Sequence, residues 1–167
     1  ILSLDGTWQF ALFNSVETVP SSWPSELPDM QDLQVPGHWQ LQGFDHPIYT
    51  NVQFPFPCTP PVVPQANPTG CYQRKFSIPD SWSKEDQVRV IFDGVDSAFH
   101  LWCNNHWVGY SQDSRLAAEF DLSKVIACGQ NTLSVLVLRH CDGSYMEDQD
   151  MWNLSGIYRS VRLLRKP

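Results

Sequence analysis

The sequence predicts an all-β fold, an antiparallel β-sandwich of jelly-roll topology. Three observations predict it: apolar and polar residues alternate with period two in many short segments, helical patterns last one or two turns, and turn-forming residues separate the segments. The 13 prolines and nine glycines among 167 residues are too frequent for long helices. Because this length suits one domain with one core, we expect residues 1–167 to form a single domain.

The predicted elements follow one another at short intervals. Strands are expected in segments 4–12, 72–78, 88–92, 98–103, 106–110, 132–137 and 157–163. Asn104-Asn105 tolerates the positive φ of a type I′ turn and so predicts a tight hairpin. Brief helical turns are expected at 81–85 and at 121–126, the latter ending near Gly129. Roughly eight short strands result.

Charge and composition exclude several classes of protein. The chain has 18 acidic and 11 basic residues and a net charge of −7, which argues against a polyanion such as nucleic acid as partner. No run approaches the roughly 18 apolar residues that cross a bilayer, and the first residues lack the sections of a signal peptide. We therefore expect a cytoplasmic location, with no nucleic-acid and no membrane partner.

The cysteines and the ends of the chain add two expectations. The five cysteines include no CxxC pair, so neither a disulfide framework nor a zinc knuckle is predicted, and reduced thiols fit the cytoplasm. Because the chain begins at Ile1 and stops directly after segment 157–163, we expect it to be a piece of a longer polypeptide. That expectation leaves a removed signal peptide open.

Residues 47–68, the proline arm, depart from the strand pattern. Proline restricts its own backbone and that of the residue before it, so the arm is predicted to be an extended, stiff loop without ladder hydrogen bonds. Long loops in compact domains are usually functional. The alternative is a structural arm that packs Phe54 and Phe56 against the sandwich or a neighbour.

Residues 142–152, the acidic loop, are the densest polar segment. Carboxylates grip sugar hydroxyls while aromatic rings such as Tyr145 and Trp152 pack on the apolar face of a pyranose. Closely spaced acidic oxygens also bind hard cations. The segment therefore indicates a sugar or cation site, and the alternative is a solvated acidic loop.

No catalytic machinery is predicted inside the chain. Asp148 and Asp150 could meet the spacing of a glycosidase acid/base pair, but the sequence offers no separate hydrophobic niche for the acid member. Motifs for a serine nucleophile, a zinc protease and a phosphate loop are missing. The five histidines are scattered, and each is expected to be structural.

Short motifs in order run through the whole chain. They include Leu4-Asp5-Gly6-Thr7-Trp8, Val35-Pro36-Gly37-His38-Trp39, Tyr49-Thr50-Asn51-Val52, Asn67-Pro68-Thr69-Gly70-Cys71-Tyr72, Phe92-Asp93-Gly94-Val95, Gln112-Asp113-Ser114-Arg115, Asp142-Gly143-Ser144-Tyr145 and Glu147-Asp148-Gln149-Asp150-Met151-Trp152. Together they closely resemble the N-terminal sugar-binding domain of glycoside hydrolase family two, and specifically its large bacterial β-galactosidases. The sequence departs from that family's usual residues at 54–58, in the arm, and at 104–106, in the hairpin turn.

The resemblance implies a jelly-roll domain that precedes immunoglobulin-like domains and a TIM barrel. Both catalytic glutamates lie in that barrel, so no catalytic residue is assigned to this chain. The Asn matching Asn51 and the Asp matching Asp150 contact galactose hydroxyls, and the same Asp ligates Na⁺. A structural Mg²⁺ site uses positions matching Gln112 and Asp142, with further ligands upstream of Ile1, so we expect that site to be incomplete here.

The sequence thus predicts the sugar-binding domain of a retaining β-galactosidase that hydrolyses terminal β-D-galactosides such as lactose. Its expected partners are the galactoside, the remaining domains of the same polypeptide and further copies in a homotetramer. A stiff proline arm would lower the ordering cost of placing Asn51 in another domain's pocket. Two alternatives stay open: a free-standing, non-catalytic carbohydrate-binding module, and a purely structural or assembly β-sandwich.

Overall fold

The structure, a computed structural model, describes residues 1–27, 29–79, 81–82 and 86–166. Short strands dominate these residues, and the only α-helix in them is a single turn. In chain order the elements are β1 (Leu2–Ser3), β2 (Gly6–Phe13), β3 (Gln31–Val35), β4 (Thr69–Ser77), β5 (Gln87–Phe92), β6 (Val95–Asp96), β7 (Ala98–Cys103), β8 (His106–Gln112), β9 (Ala118–Asp121), β10 (Gln130–Leu138), α1 (Ser144–Glu147), β11 (Gly156–Ile157) and β12 (Val161–Lys166).

The strands form two main sheets. The larger has the order β3-β2-β4-β10-β7-β8, the smaller has the order β1-β12-β5-β9, and β11 pairs with β6 in a separate ribbon. Every pair is antiparallel. The predicted antiparallel β-sandwich is therefore confirmed.

The main hydrophobic core lies between the two main sheets. In β5, Val88, Val90 and Phe92 are buried while the residues between them are partly exposed, the pattern of a strand with one face on a core. They join Leu101 of β7 and Val135 of β10 in one buried cluster. Burial of apolar area at about 25 cal/mol per Å² makes this cluster the main source of stability.

A second, smaller cluster covers the outer face of the larger sheet. Cys71 of β4 and Leu136 of β10 pack there with Leu27, and the Trp23 and Trp102 rings meet edge to face at 5.9 Å. The central strands are therefore covered on both faces. In β10 the residues from Leu133 to Val137 are all buried, because neither face of this strand is left to water.

The predicted hairpin is confirmed. Asn104 and Asn105 have φ of 50° and 66°, as a type I′ turn requires, and join β7 to β8. The Asn104 amide also donates to the Val125 carbonyl at 2.9 Å and accepts from the Thr132 backbone N–H at 3.0 Å. This asparagine therefore fixes the turn to two neighbouring segments.

The strands at the two ends of the chain are shorter and more interrupted than predicted. The strand expected over 4–12 forms only from Gly6 as β2, and the short β1 precedes the expected segment. The closing segment splits into β11 and β12 around residues 158–160. Tyr158 leaves the ladder because its ring lies between other side chains: it stacks on His38 at 5.1 Å and receives Arg115 and Arg159 over its face. Alternation in a sequence does not reveal such a side-chain site, so one predicted strand becomes two.

The expected helical turns have different outcomes. At 121–126 one turn forms, because Val125 and Ile126 both donate backbone hydrogen bonds to the Leu122 carbonyl at 2.9 Å. The helical turn expected at 81–85 falls largely on residues 83–85, which lie outside the described residues. Among the described residues, no helix has the length and apolar character needed to cross a membrane.

Candidate functional site

The proline arm forms a loop without regular strands, as its composition predicts, but turns at 50–53 and 59–62 interrupt the expected extended course. All of its residues are described, and its one ladder contact is a single bridge between Ile48 and Asn153. The Phe54 and Phe56 rings lie 5.2 and 5.3 Å from the Tyr145 ring of α1, whose hydroxyl donates to the Val62 carbonyl at 2.5 Å. The arm is thus packed against the acidic loop along its length.

Asn51 and Asp150 meet at one surface point. The Tyr49 hydroxyl oxygen lies 2.9 Å from Asn51 Oδ1 and 2.6 Å from Asp150 Oδ1. The two predicted sugar ligands are therefore within two hydrogen-bond lengths of each other, although they are 99 positions apart in the sequence. Asn51 has φ of 56°, in the left-handed region that asparagine tolerates better than most residues.

An aromatic surface borders this point. The Tyr49 and Trp152 rings lie 5.3 Å apart at an angle of 37°. Tyr49 is 47% exposed and Trp152 59% exposed, and Asn51 and Asp150 are exposed as well. Two polar acceptors beside two open rings provide what a pyranose needs, hydrogen bonds to its hydroxyls and packing on its apolar face.

Arg139 joins the bases of the arm and the acidic loop. Its side chain is 3% exposed and forms an ion pair with Asp45. Its guanidinium also donates to the His46 carbonyl at 3.2 Å and to the Asn153 carbonyl at 3.4 Å. One buried cation therefore links the residues that precede Asn51 to those that follow Asp150.

The acidic loop is only partly a solvated loop. Glu147 is half-buried, and its carboxylate accepts from the Ser114 backbone N–H at 2.9 Å and from the Ser114 hydroxyl at 2.5 Å. Asp148 lines an interior cleft, whereas Asp150 reaches the surface beside Tyr49. Asp148 and Asp150 thus face different surroundings and do not flank a common site.

The predicted Mg²⁺ ligands come close together at the edge of the larger sheet. Gln112 ends β8, and a Cβ built on Gly143, the neighbour of Asp142, would lie 3.9 Å from the Gln112 amide carbon. Gln112 Oε1 accepts from the Tyr110 hydroxyl at 2.8 Å, and Asp142 Oδ1 accepts from the Gly143 N–H at 2.9 Å. Oxygen donors suit Mg²⁺, but two side chains provide only part of an octahedral set.

Metal-ligating side chains are otherwise dispersed. The described residues contain no group of three or more His, Cys, Asp or Glu side chains placed to hold one ion. All five cysteines are free, as their spacing predicts. A cation at Asp150 or at Gln112 and Asp142 would need ligands of other kinds, such as carbonyl oxygens or water, to complete its coordination.

The interior cleft between the arm and the acidic loop is too small for a sugar. Its volume is about 30 Å³, which has room for about one or two water molecules. Pockets that enclose small ligands usually measure hundreds of Å³. A sugar bound by Asn51 and Asp150 would therefore lie on the open surface of this domain.

His140 lines the same cleft and is held neutral. It is 8% exposed, and burial followed by the charge of Arg139 lowers its pKa to about 4, while Asp45 opposes the shift. An unfolded histidine has its pKa near 6.5, so the unfolded chain binds the proton more tightly. The stability that His140 contributes is complete above pH 6.5 and is lost as the pH falls towards 4.

Because of the His140 imidazole, we expect the free energy of unfolding to fall by about 2 kcal/mol when the pH is lowered from 7.5 to 5. His140→Gln removes the titration, so urea unfolding of the variant should depend less on pH by that amount. Asp96, whose pKa burial raises to about 6, gives the opposite slope, because its folded form holds the proton more tightly. Both proteins keep Asp96, so parallel pH curves would contradict the prediction.

Two residues of this site are not among the predicted ligands. Tyr49 lies inside the Tyr49-Thr50-Asn51-Val52 motif, but nothing in the motif shows that its hydroxyl joins Asn51 to Asp150. Arg139 directly follows the apolar strand β10, and an arginine next to a buried strand is rarely fully buried without a partner. That position was the one feature of the sequence that indicated a special role for Arg139. Its partner Asp45 could not be inferred from the sequence.

Comparisons with known proteins agree on one family. Residues 1–167 match the family described as "Glycosyl hydrolases family 2, sugar binding domain". A protein named beta-galactosidase from Enterobacter cloacae is 60% identical over 166 residues, 99% of this chain and 16% of that protein. Its namesake from Pectobacterium atrosepticum is 59% identical over 165 residues, 98% of this chain and 16% of that protein. The chain thus spans about a sixth of the length of these relatives.

Solved structures share the fold. A β-glucuronidase from Ruminococcus gnavus, solved with uronic deoxynojirimycin, superposes with a TM-score of 0.75 at 19% identity, covering 99% of this chain and 29% of that chain. A β-glycosidase from Bacteroides vulgatus gives a TM-score of 0.68 at 25% identity, covering 98% of this chain and 20% of that chain. At these identities the likeness concerns the architecture.

Proposed function

The chain belongs to the sugar-binding domains of glycosyl hydrolases family 2, and from this premise we propose that it is the sugar-binding domain of a β-galactosidase. Asn51 and Asp150 bind hydroxyl groups of the galactosyl unit. The acid/base and nucleophilic groups that hydrolyse terminal β-D-galactosides such as lactose lie elsewhere in the polypeptide. The domain therefore completes a site that another domain encloses.

Identity to proteins named beta-galactosidase carries this proposal. It reaches about 60% and extends over nearly the whole chain in relatives from two genera. The structures titled β-glucuronidase are far more distant in sequence and bear only on the fold. The activity of a whole enzyme is a proposal for this chain because the chain spans about a sixth of those relatives.

The geometry supports a binding role rather than a catalytic one. A glycosidase pair needs two carboxylates that flank one glycosidic bond, and its acid member needs an environment that keeps it protonated. Asp150 is exposed, and Asp148 faces the interior cleft instead of the Asp150 surface. An exposed carboxylate beside the Asn51 amide is suited to accept hydrogen bonds from sugar hydroxyls.

Asp150 is also the group of this site that suits Na⁺, because a hard cation prefers carboxylate oxygens. Bound there, Na⁺ would offer a positive charge to the sugar oxygens. Gln112 and Asp142 would likewise contribute two oxygens to a structural Mg²⁺ site. A homotetrameric assembly and a cytoplasmic location follow from the family resemblance and belong to the same proposal.

The test is Asp150→Asn in the full-length polypeptide that contains this chain. Loss of a charged hydrogen-bond partner costs about 1.5–3 kcal/mol, so kcat/KM for a nitrophenyl β-galactoside should fall about ten- to hundredfold, and activation by Na⁺ should weaken. Asp32→Asn is the matched control, because Asp32 is exposed on β3 and its carboxylate accepts a hydrogen bond from the Gln9 amide. Unchanged kinetics in Asp150→Asn would refute the proposal.

The exposed Tyr49 and Trp152 rings favour one second candidate, a free-standing carbohydrate-binding module. Such a module would bind galactose with this chain alone, whereas an open half-site should show no heat of binding at millimolar galactose in calorimetry. A purely structural sandwich would predict that Asp150→Asn changes the mass of the oligomer and leaves the kinetics intact. The two measurements therefore separate all three functions.

A further inference from the structure

Tyr49 lies where the proline arm and the acidic loop meet. Its ring packs against Trp152, and the adjacent Ile48 carbonyl accepts a hydrogen bond from the Asn153 N–H at 2.8 Å. The backbone bridge and the ring contact fix the position of the side chain, while nearly half of its surface stays exposed. The hydroxyl is therefore held in place at an open surface.

The hydroxyl has one hydrogen and two polar neighbours. The contact with Asp150 at 2.6 Å is the shorter, as expected when a hydroxyl donates to a charged carboxylate. Once its hydrogen is used there, the Tyr49 oxygen can make a second hydrogen bond only as an acceptor, and Asn51 Oδ1, 2.9 Å away, cannot donate to it. Because the oxygen and nitrogen of an amide are assigned from its hydrogen bonds, this pattern requires Asn51 to turn its NH₂ group towards Tyr49.

We propose that Tyr49 is a positioning residue for sugar recognition, whose hydroxyl fixes the Asn51 amide and the Asp150 carboxylate relative to each other. This inference rests on the proposed function. In the resulting chain Asn51 donates to Tyr49 and Tyr49 donates to Asp150. The Asn51 carbonyl oxygen and the second Asp150 oxygen remain free for ligand.

The orientation has a consequence for specificity. Both free atoms are acceptors, so the galactosyl unit must present two hydroxyl donors to them. A site built to bind a hydroxyl discriminates against the analogue that lacks it, because its own polar group is left unpaired. Two of the monodeoxygalactosides should therefore bind more weakly than galactose itself.

The first test is Tyr49→Phe in the full-length polypeptide, which keeps the ring on Trp152 and removes only the hydroxyl. We expect kcat/KM for a nitrophenyl β-galactoside to fall about tenfold, the cost of freeing the two ligands. In an Asp150→Asn background the same change should cost less than about threefold, because Tyr49 acts through Asp150. A full tenfold loss in both backgrounds would overturn the inference.

Tyr145→Phe is the matched control. It removes a hydroxyl that bonds to the Val62 carbonyl and not to either sugar ligand. It should lower the thermal midpoint, and any kinetic effect should be the same with and without Asp150→Asn. If Tyr49→Phe behaved like Tyr145→Phe, Tyr49 would have a structural role only.

A second readout does not depend on turnover. In the wild type, two of the monodeoxygalactoses should carry a large penalty, that is, an inhibition constant well above that of galactose. Tyr49→Phe should reduce both penalties, because the Asn51 amide can then rotate. Unchanged penalties would contradict the positioning role. If Asp150→Asn alone left the kinetics intact, the proposed function would fail and this inference with it. If Asp150→Asn acted but Tyr49→Phe did not, only the inference would fail.

Discussion

Replacing Arg139 by methionine is expected to lower the unfolding free energy of the domain by about 3 kcal/mol or more. The guanidinium is almost fully buried, and its loss leaves the Asp45 carboxylate and the His46 and Asn153 carbonyls without their donor. Removing one partner of a buried ion pair is costly because the other charge stays desolvated. For a domain of this size the loss corresponds to a fall of about 6–12 °C in Tm.

Urea unfolding, monitored by tryptophan fluorescence, measures the effect, and Arg162→Met is the matched control. Arg162 pairs with Asp93 at 2.5 Å, but its side chain is 40% exposed, so water can replace the partner and the loss should stay within about 1 kcal/mol. Equal losses in the two variants would show that burial does not set the strength of the Arg139 pair. Arg139→Met should also weaken galactoside turnover, because the pair joins the two segments that bear Asn51 and Asp150.

Gly156→Ala is expected to be nearly as severe, with a loss of about 3 kcal/mol. Gly156 follows the acidic loop, in β11, and has φ of 124°, a conformation that residues with a Cβ rarely adopt. A Cβ there would lie 2.8 Å from the Tyr72 hydroxyl and 3.0 Å from the Gly37 carbonyl oxygen. The substitution therefore combines backbone strain with a clash against the hydroxyl of the fully buried Tyr72 and a tight contact with the Gly37 backbone.

Gly43→Ala separates the two contributions. Gly43 also has a positive φ, 91°, but a Cβ there would meet no atom within 4 Å. Its substitution should cost only the backbone strain, about 1 kcal/mol, and thermal unfolding of both variants measures the difference. A loss at Gly43 equal to that at Gly156 would mean that crowding around Tyr72 contributes nothing.

The candidate site is an open surface, so the positions of its residues depend on contacts made by neighbouring side chains. Asn51 and Asp150 are exposed and belong to segments without regular secondary structure. Buried contacts of Arg139 join the bases of those segments, and the exposed Tyr49 hydroxyl joins Asn51 to Asp150 at the surface. Binding groups on loops can be precise when a rigid scaffold holds both ends of each loop.

Much of the fold could be predicted because its signals are local. Alternation along β5 reports one buried face, and paired asparagines tolerate positive φ wherever they occur. The short strands β3, β6 and β9 could not be predicted, because two to five residues carry too little periodicity. The break at Tyr158 also escaped prediction, since the His38 ring that stacks on it belongs to a segment 120 positions earlier.

By itself the sequence determined the sandwich class, the loop character of the arm, the free thiols and the family, and through the family it predicted Asn51 and Asp150 as sugar ligands. Only the tertiary structure decided that these two residues share one tyrosine hydroxyl and that Arg139 joins the segments bearing them. The physical reason is the range of the interactions. Backbone preferences act over a few residues, whereas hydrogen bonds and ion pairs at a site join atoms whose separation along the chain has no effect on their distance in space.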